Sequence, residues 1–248
     1  MIKKTGLIAA LDAPNLKKAE ELLKQLSGLV DFYKVGSGLF TAAGPAAVEL
    51  ALKYGKKVFL DLKFHDIPNT VAAAVKSAAS LGVYSVSLHL SGGAEMLKAC
   101  AGLEKKPKLW GITVLTSFNE YELFKTGFRC SIAKTARALA ALGAENGADG
   151  VVCSPLEAAA IKKIHGKKLT VITPGVRAPL RLRQASYPSA LGGRLESAGD
   201  DQKRTLTPQE ASRAGADFIV VGRPIINAED PAASAAAFLE ALKPENCG

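Results

Sequence analysis

The amino-acid sequence predicts an α/β protein built as a single (β/α)8 barrel of the TIM type. Three observations carry this reading. Eight short apolar runs alternate with longer amphipathic stretches. The runs are continuously apolar, as parallel strands covered on both faces require. No shift in composition divides the 248 residues, of which 48% are hydrophobic. Barrels of this kind usually take about 250 residues, so residues 1–248 are read as one domain. A doubly wound open sheet is the competing architecture, but the G-x-G-x-x-G turn expected after its first strand is missing.

The predicted strands, in order, are Gly6–Asp12, Phe32–Ser37, Val58–Lys63, Ser85–Leu90, Leu109–Leu115, Gly150–Ser154, Thr170–Thr173 and Phe218–Gly222. Between them lie helical patterns. Leu16, Ala19, Leu22, Leu23 and Leu26 recur every three to four residues, with Pro14 before and Gly28 after. Val71, Ala74, Val75 and Ala78 repeat the pattern between Pro68 and Gly82. Ile132, Ala136, Leu139 and Ala140 form another apolar face, which Gly143 is expected to close. The one long irregular stretch, Ala178–Asp201, carries Pro179, Pro188, Gly192, Gly193, Gly199 and the arginines 181, 183 and 194. Loops longer than about 15 residues are usually functional or disordered. This one follows the seventh strand and neighbours the Gly222-Arg223 turn, where barrels often bind phosphate. A solvated insertion is the alternative for its central part.

Composition narrows the partners. The net charge of +9 fits an anionic small substrate. Much of it lies in scattered lysine pairs such as Lys17-Lys18 and Lys105-Lys106, the mark of solvated faces. No nucleic-acid module or aromatic-basic interleaving is present, so nucleic acid is not an expected partner. No apolar run reaches the roughly 18 residues of a membrane span. The N-terminal residues lack the small-residue cleavage site of a signal peptide. Cys100, Cys130, Cys153 and Cys247 form no C-x-x-C pair, which suits reduced thiols in a cytoplasmic protein.

The chemistry concentrates in the ten residues Asp61-Leu62-Lys63-Phe64-His65-Asp66-Ile67-Pro68-Asn69-Thr70. The pattern D-x-K-x-x-D sets a lysine between two aspartates, whose negative charge favours the ammonium. Such a group suits proton delivery to a carbanion, with fixed negative charge beside a departing group. A surface salt-bridge cluster at a strand end is the bland alternative. Further polar residues fall after the predicted strands, Asp12, Thr116, Ser117, Arg177 and the Arg223 of the Gly222-Arg223 turn, with Lys34 within the second. Active sites of barrels lie at the C-terminal ends of strands.

These residues resemble the orotidine 5'-phosphate decarboxylase family over nearly the whole chain. The matching segments are Ala10-Leu11-Asp12, Tyr33-Lys34-Val35-Gly36, the decapeptide above, Asp149-Gly150-Val151-Val152-Cys153-Ser154, Thr173-Pro174-Gly175-Val176-Arg177, Asp201-Gln202-Lys203-Arg204 and Val221-Gly222-Arg223-Pro224-Ile225. The resemblance implies conversion of orotidine monophosphate to uridine monophosphate and carbon dioxide, in de novo pyrimidine synthesis, with no metal or organic cofactor. It implies that Lys63 protonates C6, and that Asp61 and Asp66 hold the ammonium. Asp66 and Thr70 would enter the site from the partner subunit of a homodimer. Asp12 and Lys34 would hold the ribose hydroxyls and Thr116 the pyrimidine edge. Gln202, Gly222 and Arg223 would hold the phosphate, with Arg177 opening the closing loop. His65 is read as structural. The stretch between Arg177 and Gln202 is longer than in typical bacterial members, so Arg181, Arg183 and Arg194 are further candidate contacts.

Three other functions fit the pattern less well. A metal-dependent barrel enzyme working through an enediolate shares D-x-K-x-x-D but needs an acidic ligand where this chain has Lys34, whose charge repels a divalent cation. A Schiff-base aldolase needs a neutral lysine, which flanking carboxylates disfavour. A silent nucleotide-binding scaffold has no use for the complete Asp61–Lys63–Asp66 set.

Overall fold

The computed structural model describes residues 5–177 and 204–243. Eight parallel strands close on themselves in chain order. They are β1 (Gly6–Ala10), β2 (Phe32–Gly36), β3 (Lys57–Phe64), β4 (Ser85–His89), β5 (Lys108–Ile112), β6 (Gly150–Val152), β7 (Thr170–Thr173) and β8 (Phe218–Val221). The barrel shuts where β1 runs beside β8, with Gly6 opposite Phe218 and Ala9 opposite Val221. Around it lie α1 (Leu16–Leu26), α2 (Ser37–Ala43), α3 (Ala46–Lys53), α4 (Pro68–Ser80), α5 (Gly93–Ala101), α6 (Glu120–Lys125), α7 (Ile132–Glu145), α8 (Pro155–His165), α9 (Pro208–Arg213), α10 (Arg223–Ile226) and α11 (Pro231–Ala241). None of the helices among the described residues is long and apolar enough to cross a membrane. The predicted loop at about 178–201 lies outside the described residues.

The two-residue alternation of a strand sorts side chains into two cores. Leu7 and Ala9 of β1, Val58 and Leu60 of β3, and Val86 and Leu88 of β4 face the helices. Ile8, Ala10, Phe32, Phe59, Trp110, Ile172 and Val220 fill the barrel. The filling is aromatic towards the strand beginnings: Trp110 lies 4.6 Å from Phe59, 5.8 Å from Phe32 and 6.0 Å from Phe218 between ring centres. Following the same face two residues onward, Phe32 gives way to Lys34 and Phe59 to Asp61. One end of the interior is thus a packed floor and the other a charged mouth.

The helices begin where local chemistry supplies a partner for free amides. The Asn15 side chain accepts from the Lys18 amide at 3.0 Å to open α1, and Ala19, Leu22, Leu23 and Leu26 are its buried face. Pro68 opens α4 at a position where no amide is needed.

Two boundaries differ from expectation for a physical reason. Gly143 does not close α7, which continues to Glu145. A Cβ at Gly143 would stand 2.9 Å from a Leu90 methyl, so this glycine permits close packing and is not a stop signal. The fifth strand ends at Ile112, short of Leu115. The Val114 and Leu115 carbonyls accept from the Arg204 guanidinium at 3.2 and 3.1 Å and leave the ladder. The other strands lie within one or two residues of their predicted limits, because residues such as Ser154 and Gly222 cap the helices that follow.

Packing around the floor is tight enough to test. A Cβ at Gly150 would come within 2.6 Å of the Thr170 carbonyl oxygen and 3.0 Å of Trp110, and backbone cannot yield as a side chain can. Gly150→Ala is expected to destabilise the protein by about 1–3 kcal/mol. Urea unfolding checks this: the midpoint should fall with the slope unchanged, and an unmoved midpoint would contradict the packing account.

Candidate active site

At the mouth, β1, β2 and β3 each contribute charge. Lys34 projects from β2 with its side chain 14% exposed, and its ammonium lies 3.0 Å from Asp12 Oδ1 and 3.7 Å from Asp61 Oδ2. Lys63 Nζ lies 2.8 Å from the same Asp61 Oδ2. The result is a line of alternating sign, Asp12–Lys34–Asp61–Lys63. Room for it comes from glycine: a Cβ at Gly36 would press to 2.8 Å from Lys34 Nζ and 3.2 Å from Asp12. Gly222, at the end of β8, would likewise reach 3.2 Å from Asp12 Oδ2 if it carried a Cβ.

Asp61 is the buried member, 7% exposed. Burial pushes its carboxyl up, but Lys34, Lys63 and the hydrogen bonds from Lys63 and Ser87 outweigh it, and the group is held below its ordinary range. Its second oxygen, Oδ1, accepts from the Ser87 hydroxyl at 2.7 Å. Lys63 is 40% exposed at its side chain and borders a cavity of about 320 Å³ lined also by Phe64, His65, Asp66, Thr70 and Ala74. A larger hollow of about 420 Å³ between α1 and α3 contains none of the residues at the strand ends, so its size does not make it the site.

Not every expected residue joins the charged line. Asp66 is exposed, and its carboxylate accepts the Ile67 amide at 2.7 Å. No hydrogen bond or ion pair joins it to Lys63 among the described residues. Thr70 is exposed in the first turn of α4. Thr116 is buried just beyond β5. Arg177 follows β7, where its amide donates to the Leu206 carbonyl at 3.0 Å. Arg223 starts α10 directly after β8. All of these occupy the carboxyl-terminal end of the barrel. Gln202 lies outside the described residues. His65 stacks 5.2 Å from His89; burial, and then the proximity of His65 and Lys63, pushes the His89 imidazole down.

Ser87 and the Arg204–Glu157 pair were not anticipated. Ser87 sits inside the run Val86-Ser87-Leu88, where a serine reads as strand filler. Arg204 makes a 2.7 Å ion pair with Glu157, both side chains being nearly buried, and accepts the Ser154 hydroxyl on its carbonyl at 3.3 Å. With its bonds to Val114 and Leu115 it ties the exits of β5 and β6 to the returning chain, immediately before Thr116 in one direction and two residues after Gln202 in the other. The paired charge within Asp201–Arg204 was the available signal, but nothing in the sequence matched it to Glu157.

A closed barrel with alternating carboxylates and ammoniums at its mouth places the protein in the (β/α)8 class, with charged side chains at the end where barrel enzymes hold their active sites. Comparison with known proteins makes the class specific. The orotidine 5'-phosphate decarboxylase / HUMPS family profile matches residues 5–238. A protein of Trichlorobacter lovleyi named orotidine 5'-phosphate decarboxylase is 45% identical over 235 residues, covering 92% of this chain and 91% of its own. One of Hahella chejuensis with the same name is 42% identical over 93% of this chain and 94% of its own. The crystal structure of orotidine 5'-phosphate decarboxylase from Lactobacillus acidophilus superposes with a TM-score of 0.78 at 32% identity, covering 97% of this chain and all of that one. The chain belongs to the orotidine 5'-phosphate decarboxylase / HUMPS family.

The depressed Asp61 carboxyl has a stability signature. An aspartate ionises near pH 3.9 when unfolded, and in the native protein it ionises lower. Between those values the unfolded chain binds more protons, so stability rises with pH there and falls as pH drops through the native value. Asp61→Asn should therefore show a shallower loss of stability below about pH 4 than the wild type. Equal acid slopes in urea unfolding series would deny the ion pairs their role.

Proposed function

We propose that this protein decarboxylates orotidine 5'-monophosphate to uridine monophosphate and carbon dioxide, without a metal or organic cofactor, and that Lys63 is the proton donor. The observation that carries the reading is the line of alternating charge that ends on Lys63 in a chain of this family. Breaking the bond between C6 and the carboxylate leaves the electron pair on C6, a vinyl carbanion with little resonance relief. The Lys63 ammonium opposes that charge as it develops and then gives its proton to C6. The neutral amine left behind recovers a proton from solvent. Asp61 holds Lys63 and Lys34 by one oxygen, so both cations keep a fixed place before the substrate arrives. Lys34 is also a poor neighbour for a divalent cation, which favours chemistry insensitive to chelators over a metal-assisted enediolate route.

The rest of the substrate meets separate groups in this reading. Asp12 and Lys34 take the ribose hydroxyls, Thr116 the pyrimidine edge, and Gln202, Gly222 and Arg223 the phosphate, with Arg177 beside them. Phosphate is remote from the bond that breaks, yet its binding energy can lower the barrier if it is realised in the transition state.

Asp66 and Thr70 act across a homodimer, each completing the site of the partner subunit. The exposure of both residues, and the absence among the described residues of a hydrogen bond or ion pair between Asp66 and Lys63, support this.

The decisive assay is loss of orotidine monophosphate absorbance on adding the protein. Lys63→Ala should abolish that turnover while uridine monophosphate still binds, since ribose and phosphate contacts come from other residues. Residual normal turnover with weakened product binding would contradict the assignment.

The shared site has its own test. Lys63→Ala and Asp66→Ala should each be nearly inactive alone. Mixed and allowed to exchange, about half the dimers become heterodimers, with both defects in one site and none in the other. About a quarter of all sites should then titrate as active. No recovery, with subunit exchange shown independently, would place Asp66 within its own chain's site.

A further inference from the structure

We propose that Ser87 is the positioning residue that sets the backbone of Lys63 and the carboxylate of Asp61 against each other. This deepens the decarboxylase reading above and rests on it. Lys63 has φ of 52°, the one non-glycine residue in the left-handed region among the described residues. A lysine has no local side-chain bond to favour that conformation, unlike asparagine or aspartate. Something outside the residue must hold it there.

The register of β3 against β4 shows what does. Leu60 pairs with Val86, and pairing resumes at Phe64 with Leu88. Three residues, Asp61, Leu62 and Lys63, therefore face a single residue, Ser87. The Ser87 hydroxyl accepts the Lys63 amide at 2.8 Å and donates to Asp61 Oδ1 at 2.7 Å. Ser87 is fully buried, so water has no ready access to replace it. A hydroxyl can accept and donate at once, which lets one side chain meet both the amide freed by the bulge and the carboxylate. Asp61 Oδ1 is thereby turned to Ser87, which leaves Oδ2 for the two ammoniums. The bulge swings Lys63 off the strict alternation of the strand, and the same hydroxyl that stabilises the bulge orients the carboxylate Lys63 must meet.

The alternative is a serine that satisfies buried polar atoms and supports the fold without bearing on turnover. Steady-state kinetics of Ser87→Ala and Ser87→Thr, with uridine monophosphate affinity and unfolding midpoints for each, separates the two. Ser87→Ala should lower kcat about 10- to 100-fold, the consequence of losing a bond to a charged group. KM and product affinity should stay within about threefold, because ribose and phosphate contacts do not involve Ser87. Ser87→Thr keeps the hydroxyl and should recover most of kcat. In a crystal structure of Ser87→Ala, Lys63 should leave the left-handed region. If Ser87→Ala does not fold, Ser87→Cys, close in volume but a weak donor and acceptor, carries the same expectation. A folded Ser87→Ala with wild-type kcat, or one that loses only KM, overturns the proposal. Wild type active, Lys63→Ala inactive and Ser87→Ala fully active reject Ser87 alone; a wild type with no decarboxylation rejects the functional reading beneath it.

Discussion

A carboxylate taken out of water must be paired or it will not stay ionised, and Asp61 is that carboxylate. Its position on the inner face of β3 follows from the alternation that also points Phe59 inward. Once it is there and charged, the neighbours are constrained. One oxygen draws the ammoniums of Lys34 and Lys63, and the other draws the Ser87 hydroxyl. Lys34 then needs its own counter-charge on the open side, which Asp12 supplies. Gly36 has to be small because the ammonium occupies the space its side chain would take. Five residues around the mouth, Asp12, Lys34, Gly36, Lys63 and Ser87, are thus constrained by one buried charge.

The closed barrel makes this arrangement affordable in structural terms because its two ends do different work. Trp110, Phe59, Phe32 and Phe218 pack the floor, and parallel pairing closes the circle of strands, interrupted by the bulge of β3 against β4. Stability there leaves the mouth free to hold like charges near one another and a backbone conformation that costs about 1–3 kcal/mol. The second buried pair, Arg204 with Glu157, serves a different purpose. It bonds to the carbonyls of Val114 and Leu115 and so fixes loops that follow three strands. Burial pushes the Glu157 carboxyl up in spite of the guanidinium beside it.

Much of the barrel was legible residue by residue. Runs such as Phe218-Ile219-Val220-Val221 are too short for helices and too apolar for surface, and the Leu16–Leu26 periodicity is bracketed by Pro14 and Gly28. What failed was punctuation. Gly143 reads as a helix stop because glycine so often is one, yet its meaning here is contact with Leu90, some fifty residues away in sequence. The end of β5 depends on Arg204, about ninety residues downstream. In both cases the deciding partner is remote in sequence, and no local pattern encodes it.

The same division runs through the site. The sequence by itself determined which residues could bear charge at the strand ends: D-x-K-x-x-D, Asp12, Lys34 and the Gly222-Arg223 turn are adjacent to apolar runs, and residue type plus alternation suffices to put them at one end. Only the tertiary structure decided how they meet. That Lys34 and Lys63 converge on one oxygen of Asp61, and that Lys63 adopts a left-handed backbone against Ser87, both depend on the register between neighbouring strands. Register is a relation between segments brought together by closure of the barrel, and a slip of one residue would reverse which faces point inward. The composition of the active end is written locally, while its geometry exists only once all eight strands have paired.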